Sequence, residues 1–479
     1  MGAQQPQTGS VGLTKHPPNP PASPDDHRDR KSIPGLASRQ AATTILTRVF
    51  DDRRSLDGLL DTRHGPPAYQ KLDDADRGLV RAIVTTALRH SGEIDHALAR
   101  MMDRKPPKNA RHLLNTLKVA AAQILFLDLP DSAAVNLAVA ALKQDKRSVR
   151  FASFGNAILR RMVREKDDLF TGLDEGARAK LNVPAWLWKR WRKDYGKQRA
   201  AEIAAQHMLE PVIDICVKSD PQAWGQTLGG LHLQGSSVRV RHGGRISQWP
   251  GYDEGEWWVQ DAAAALPVHL MGDLRDVDAL DLCAAPGGKT AQMALAGARV
   301  TAIEKNRDRL DRLGGNLSRL GLSANTIEAD MMEWQPDALF DAILLDAPCS
   351  STGTIRRHPD VAHTKTQADI EALAQLQYQM LLRAAGFLKP GGILVFSNCS
   401  LDRTEGEDMI ARIGAPGHAP TGLILDRLTG DDVFGNDEWV TGQSTLRTLP
   451  SHLPVDPASG FDAGFSGLDG FFAARFRKE

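Results

Sequence analysis

Cysteine is scarce in this sequence: Cys216, Cys283, Cys349 and Cys399 are the only four among 479 residues, and no two form a CxxC pair. That argues against a disulfide framework and against a paired-cysteine zinc site, so no metal is expected. No run of about 18 apolar residues occurs, which excludes a membrane-spanning helix. The first residues lack a basic-then-apolar leader, and a cytoplasmic protein with no membrane partner is expected. Net charge is absent too, since 59 Lys and Arg balance 59 Asp and Glu. With 42% hydrophobic and 25% charged residues, the composition excludes a fibrous or wholly disordered chain. The length suits two to four domains at about 100–200 residues each.

The zero balance hides an asymmetry. Residues 1–200 carry 35 basic and 22 acidic side chains, and residues 201–479 carry 24 and 37. Two readings stay open: a basic first half that meets a polyanion, or an arginine-rich helical surface that is simply solvated.

Residues 1–36 hold seven prolines, four glycines and no aromatic residue, which predicts a disordered tail. Helical spacing then runs through residues 37–166. Leu113, Leu114, Leu117, Ala121, Ile124 and Leu125 share one face, as do Phe151, Phe154, Ile158 and Met162, so this part is predicted to be all-α. Residues 167–250 read as a small α+β connecting module, with strands at Val212–Val217 and Ser237–Arg241. Its Trp186, Trp188 and Trp191 interleave with Lys189, Arg190, Arg192 and Lys193. Such a segment either stacks bases among phosphate-binding cations or forms a helix pinned by its tryptophans.

From residue 251 to 479 strands alternate with helices. Strands are predicted at Ala279–Cys283, Arg299–Glu304, Thr326–Ala329, Phe340–Asp346, Gly392–Ser397 and Gly470–Arg477. Helices are predicted at Asp308–Leu320 and Ala368–Leu388, the second stopped by Lys389-Pro390-Gly391-Gly392. Near-continuous apolar strands between helices predict an α/β, doubly wound, Rossmann-like parallel sheet.

Chemistry gathers at the strand ends. The first strand enters the Gly-rich turn DLCAAPGGKT, Asp281–Thr290, whose glycines admit a ligand to the backbone at a helix N-terminus. Glu304 ends the second strand at the distance that suits ribose hydroxyls, and Asp330 follows the third, placed to meet an adenine amino group. Together these favour an adenosine ligand such as S-adenosylmethionine. The fourth and fifth strands end in DAPCSSTGTIRRHPD, Asp346–Asp360, and NCSL, Asn398–Leu401. Neighbouring strand tips would bring Cys349 and Cys399 within about 5–10 Å. A thiolate suits methyl transfer to a pyrimidine, because addition at carbon 6 makes carbon 5 nucleophilic. Asp346 is placed to hydrogen-bond N3 of the ring or to hold the methionine part of the cofactor.

At these three motifs, in this order, the sequence resembles the Nop/Sun family of RNA cytosine-5 methyltransferases. The helical part, with FGNAILRR at Phe154–Arg161, resembles the NusB-like RNA-binding domain of RsmB-type bacterial enzymes, so the likeness spans about residues 37–479. It implies a class I methyltransferase domain in which Cys283, Ala284, Ala285, Pro286, Gly287, Gly288, Lys289, Glu304, Asp330 and Asp346 bind S-adenosylmethionine. It implies Cys399 as nucleophile and Cys349 as the residue assisting product release, with Lys289 also touching the base. The implied substrate is a cytidine in 16S ribosomal RNA, met by a monomer that binds RNA and not DNA. Three departures stand out: Ser351 where Gly or Ala is commoner, Ser397-Asn398 before the nucleophile, and a long stretch over Leu446–Gly467. Transfer RNA as substrate, and a non-catalytic RNA-binding assembly factor, are the alternatives. A DNA methyltransferase fits less well, since those use the PC-type cysteine as nucleophile.

Overall fold

In the computed structural model the described residues are Gly2 and 33–479, without Lys105, Lys108, His242 and 414–421. Nearly all of the expected tail over residues 1–36 lies outside them. Residues 35–479 pack as one unit.

The helix Arg111–Phe126 is the hub of the helical part, because it buries side chains on every face: Leu113, Leu117, Ala120 and Ile124 with Asn115, Thr116 and Gln123. Around it lie Leu36–Asp52, Asp74–Arg89, Ser91–Met101, Asp131–Gln144 and Ala152–Glu165. The Asp73 side chain starts one of them by accepting the Asp76 N–H. Gly155 lets the last two close up, since a Cβ there would stand 2.6 Å from Leu142 Cδ1.

The tryptophan segment forms the helix Ala185–Met208, which breaks at Gly196 with φ 79°. Trp191 is 2% exposed and packs with Leu187, Ile203, Ile355 and Leu401, while Trp186 and Trp188 lean half-buried on the same cluster. Trp191 therefore pins a helix and has no free face for a base.

A four-stranded antiparallel sheet follows, ordered β2-β3-β1-β4 from β1 Ile213–Val217, β2 Leu231–His232, β3 Ser237–Val240 and β4 Trp257–Val259. Its fourth strand lies beyond residue 250. The large sheet contains β5 Asp278–Leu282, β6 Arg299–Glu304, β7 Asn325–Glu328, β8 Phe340–Asp346 and β9 Leu388–Asn398, all parallel, in the order β9-β8-β5-β6-β7. The expectation of a parallel sheet needs correction beyond β9. The final strand, β12 Phe471–Lys478, runs antiparallel beside it, and β10 Leu423–Asp426 and β11 Leu446–Thr448 run antiparallel to β12. The sheet is mixed because a chain returning without a crossover helix adds its strand in the opposite sense.

The predicted helix Ala368–Leu388 is also corrected: it spans Gln367–Ala385, and β9 starts at Leu388. Pairing of β9 with β8 jumps from Phe340–Leu388 to Ala342–Ile393, so Lys389-Pro390-Gly391-Gly392 bulges out of the strand rather than preceding it.

The helical part meets the loop after β8 through several contacts. The Leu56 N–H donates to Asp360 Oδ2 at 2.9 Å, Arg89 Nη2 donates to the Arg356 carbonyl at 2.9 Å, and the rings of Phe50 and His363 lie 5.1 Å apart.

Candidate active site

The C-terminal ends of β5, β8 and β9 open on a cleft of about 420 Å³. Its floor is the Gly-rich turn. Cys283 takes φ 65° and Gly287 φ 103°, which reverses the chain into the helix Gly288–Leu295. Two side chains from the helix Arg307–Arg319 hold the turn: Arg309 Nη2 donates to the Ala285 carbonyl at 2.5 Å and Asn316 Nδ2 to the Pro286 carbonyl at 2.9 Å. Below it, Asp281 is 1% exposed and accepts the Thr290 hydroxyl at 2.6 Å, while its Oδ1 is buried without a partner. Burial pushes the Asp281 carboxyl up to about 7.

At the centre, Lys289 Nζ donates to Asp346 Oδ2 at 2.7 Å, and the Ser397 hydroxyl donates to Asp346 Oδ1 at 2.9 Å. The Lys289 ammonium also lies 5.1 Å from the ring centre of Phe471, which closes one wall. Cys283–Lys289, Asp346 and Cys399 all line this cleft. Glu304 and Asp330 sit on the neighbouring strand ends, outside its lining. Glu304 is buried, accepts the Asn306 N–H at 3.0 Å and pairs with Arg309 at 3.2 Å; Asp330 pairs with Lys305 at 2.7 Å.

The two sulfurs expected at adjoining strand tips are 3.4 Å apart. Cys399 lines the cleft and Cys349 stands behind it, 3.8 Å from the Ser351 hydroxyl. The hydrogen bond from Cys349, and then the Ser351 hydroxyl, hold the Cys399 thiol below its ordinary range against its burial. Cys349 is pushed well up, first because its thiol proton is held in the hydrogen bond to Cys399, then because it is buried and because its ionisation would set a second charge against the first. Burial raises Cys216 and Cys283 to about 12, leaving them inert.

Several residues here were not singled out from the sequence. Glu405, fully buried, accepts the N–H of Ser350 at 2.9 Å and the hydroxyls of Ser350 and Ser400 at 2.5 Å each, so one carboxylate ties the residues following both sulfurs. Gly353 joins the same loops: its N–H donates to the Cys399 carbonyl and its carbonyl accepts the Gly470 N–H, both at 2.9 Å. A Cβ at Gly353 would lie 1.9 Å from the Gly470 oxygen, so only glycine fits. Arg190, one of the cations of the tryptophan helix, donates through Nε and Nη2 to Asp402, just after the NCSL motif. For Glu405 the visible signal was only an acidic residue six positions after Cys399; of its partners, Ser400 is near in sequence while Ser350 and Gln377 come from other segments.

A mixed Rossmann-like sheet, with a Gly-rich turn and paired thiols at its strand tips, defines a methyltransferase carrying a helical domain in front. Residues 271–456 match the family described as 16S rRNA methyltransferase RsmB/F, and residues 36–164 match the NusB family. The chain is 30% identical over 458 residues to ribosomal RNA small subunit methyltransferase B of Enterobacter sp. (strain 638), covering 92% of this chain and 99% of that one. It is 32% identical over 388 residues to the protein of that name from Klebsiella pneumoniae, covering 78% and 88%. The chain belongs to the RsmB/F family of rRNA methyltransferases. Among solved structures, PH0851 shares the fold with TM-score 0.67 and 20% identity over 93% of this chain and 99% of that one. NSun6 from Pyrococcus horikoshii does so with TM-score 0.50 and 19% identity, over 62% and 98%.

The protein is thus an S-adenosylmethionine-dependent RNA methyltransferase. Its residues fit that cofactor: Gly287 and Gly288 leave the turn's backbone bare toward the cleft, and the orphaned Asp281 Oδ1 offers an acceptor to a cationic or hydroxyl group. Among the described residues no helix is long and apolar enough to cross a membrane, and no cluster of potential metal ligands occurs.

Proposed function

We propose that the protein forms 5-methylcytidine in 16S ribosomal RNA through a covalent bond between Cys399 and carbon 6 of the target base. The observation that carries this reading is the sulfur pair at 3.4 Å, with only Cys399 of the two facing the cleft shared by Asp346 and Lys289. The residues over 37–166 take hold of RNA, those over 251–479 carry the reaction, and those over 167–250 connect them. Cys283–Lys289, Glu304, Asp330 and Asp346 hold the cofactor, which when bound supplies an electrophilic methyl group.

The target cytidine leaves its stack to enter the cleft, at a cost of about a few kcal/mol. The Cys399 thiolate adds to carbon 6, and the electron pair of the 5,6 double bond moves into the ring. Asp346, oriented by Ser397 and Lys289, meets the N3 edge and, through the O–H of its carboxyl group, donates a hydrogen bond to N3 that favours the negative ring charge as it grows. Carbon 5 then takes the methyl group, its proton passes to water in the open cleft, and the carbon–sulfur bond breaks. Cys349 steadies the departing Cys399 sulfur with its S–H, which is how it speeds release.

The test is transfer of labelled methyl from the cofactor to ribosomal and transfer RNA taken from cells lacking the protein, followed by mapping of 5-methylcytidine. A labelled cytidine in 16S RNA is expected. Label confined to transfer RNA would move the reaction to that substrate. Tight RNA binding without any transfer would overturn the enzymatic reading in favour of an assembly factor.

A further inference from the structure

One cation of the cleft has no task in that scheme. Lys289 is occupied by Asp346, and Arg319 Nη1 by the carbonyls of Tyr252 and Trp257 at 2.6 and 3.2 Å. Arg357 lines the same cleft with its side chain 35% exposed. Its Nε donates to Asp469 Oδ2 at 2.9 Å and its Nη2 to the same oxygen, while Nη1 has no partner among the described residues. Asp469 is itself buried, and its N–H donates to Asp261 Oδ1 at 3.2 Å, so the fork is anchored at its base. Burial works against the Arg357 cation, but Asp469 and Asp261 outweigh it, and Cys399 adds to the same pull. The Gly353 stitch, which joins the Cys399 carbonyl to Gly470 beside Asp469, holds the guanidinium's anchor close to the nucleophile.

Resting on the cytosine-5 reading, we propose that Arg357 is a further catalytic residue, whose Nη1 donates to the carbonyl oxygen at position 2 of the target pyrimidine. When the sulfur gives its electron pair to carbon 6, the displaced π pair spreads through N3 onto that oxygen. Asp346 serves the N3 edge, and a fixed cation at the oxygen serves the other end of the same charge. Arg357 keeps all its protons throughout; when carbon 5 forms its new bond, the pair returns and the carbonyl is restored. A guanidinium fixed at the reacting cleft suits this role better than backbone capture, which long exposed side chains perform.

The experiment compares wild type, R357K, R357Q and the charge-neutral pair R357Q/D469N in single-turnover methylation at saturating RNA. The target position carries cytidine or 2-thiocytidine, whose sulfur is a poorer acceptor. R357Q is expected to lose about 10²–10³-fold in rate, with RNA affinity changed less than about twofold. The thio substitution is expected to slow wild type about tenfold and to slow R357Q and the double variant hardly further, as for two groups sharing one interaction. Melting curves and cofactor binding report folding, and the double variant avoids leaving Asp469 unpaired. An equal thio penalty in all variants would overturn the proposal. So would a loss that appears as RNA affinity, with the salt slope reduced by about one, which marks a phosphate contact. If wild type methylates no cytidine carbon 5, the cytosine-5 reading itself has failed, and this inference with it.

Discussion

The backbone N–H of Leu56 donates to the carboxylate of Asp360 at 2.9 Å, joining the helical part to the loop that carries Cys349. Both groups are buried. The helical layer therefore braces the loop that carries Cys349, in addition to any hold on RNA. Asp360→Ala strands a buried donor, which costs about 1–3 kcal/mol. Thermal melting is expected to fall accordingly, and proteolysis is expected to reach the region around Leu56 sooner. An unchanged melting temperature would show that the contact is idle.

The two thiols are expected to fail differently. Cys399→Ala abolishes methyl transfer and covalent capture of RNA. Cys349→Ala accumulates a denaturant-resistant protein–RNA adduct, seen as a shifted band on a denaturing gel, because release stalls. It also removes the donor that lowers the Cys399 thiol, so alkylation of Cys399 moves to higher pH. An adduct with Cys399→Ala instead would reverse the assignment.

Asp281 makes stability depend on pH in a definite direction. Its carboxyl titrates at about 7 when folded against the ordinary 3.8, so the folded state binds the extra proton between these values. The associated stability is complete below about pH 4 and is lost as pH rises through 7. Asp281→Asn removes the titration. The variant is expected to match wild type below about pH 4 and to be the more stable of the two at pH 8, by at most about 4 kcal/mol. Equal differences at both pH values would count against a raised Asp281.

Ser351 occupies the left-handed region with φ 58°, where glycine is free of strain. Ser351→Gly is expected to raise stability by about 1 kcal/mol and Ser351→Val to lower it, measured by chemical denaturation. Loss of the hydroxyl should also raise the Cys399 thiol slightly, since Ser351 is among the groups lowering it.

The interior strands were legible because they are buried on both faces: Ile343, Leu344 and Leu345 form an unbroken apolar run, and Ala279, Leu280 and Leu282 one interrupted only by Asp281. Strand direction leaves no such trace: the last strand was legible at Gly470–Arg477, but not that β12 runs antiparallel to β9. The Pro390-Gly391-Gly392 bulge reads locally as a terminator, and only pairing with β8 makes it part of a strand. In the site, Asp346, Lys289, Cys349 and Cys399 were legible because each lies in a motif at a strand end. Glu405, Asp469 and, in spite of its place in the Asp346–Asp360 motif, Arg357 were not, since their meaning comes from loops that meet only in three dimensions. The tryptophan segment shows the converse: its base-stacking and structural readings are the same letters, and burial of Trp191 decides for structure.

The Glu405 carboxylate has a consequence for how this enzyme tolerates change. Because a single acid bolts down the neighbours of both sulfurs, a lesion there would loosen attack and release together. The resulting protein would be silent in a gel for trapped RNA as well as in an activity assay, and would pass for a nucleophile mutant with both of its thiols still in place.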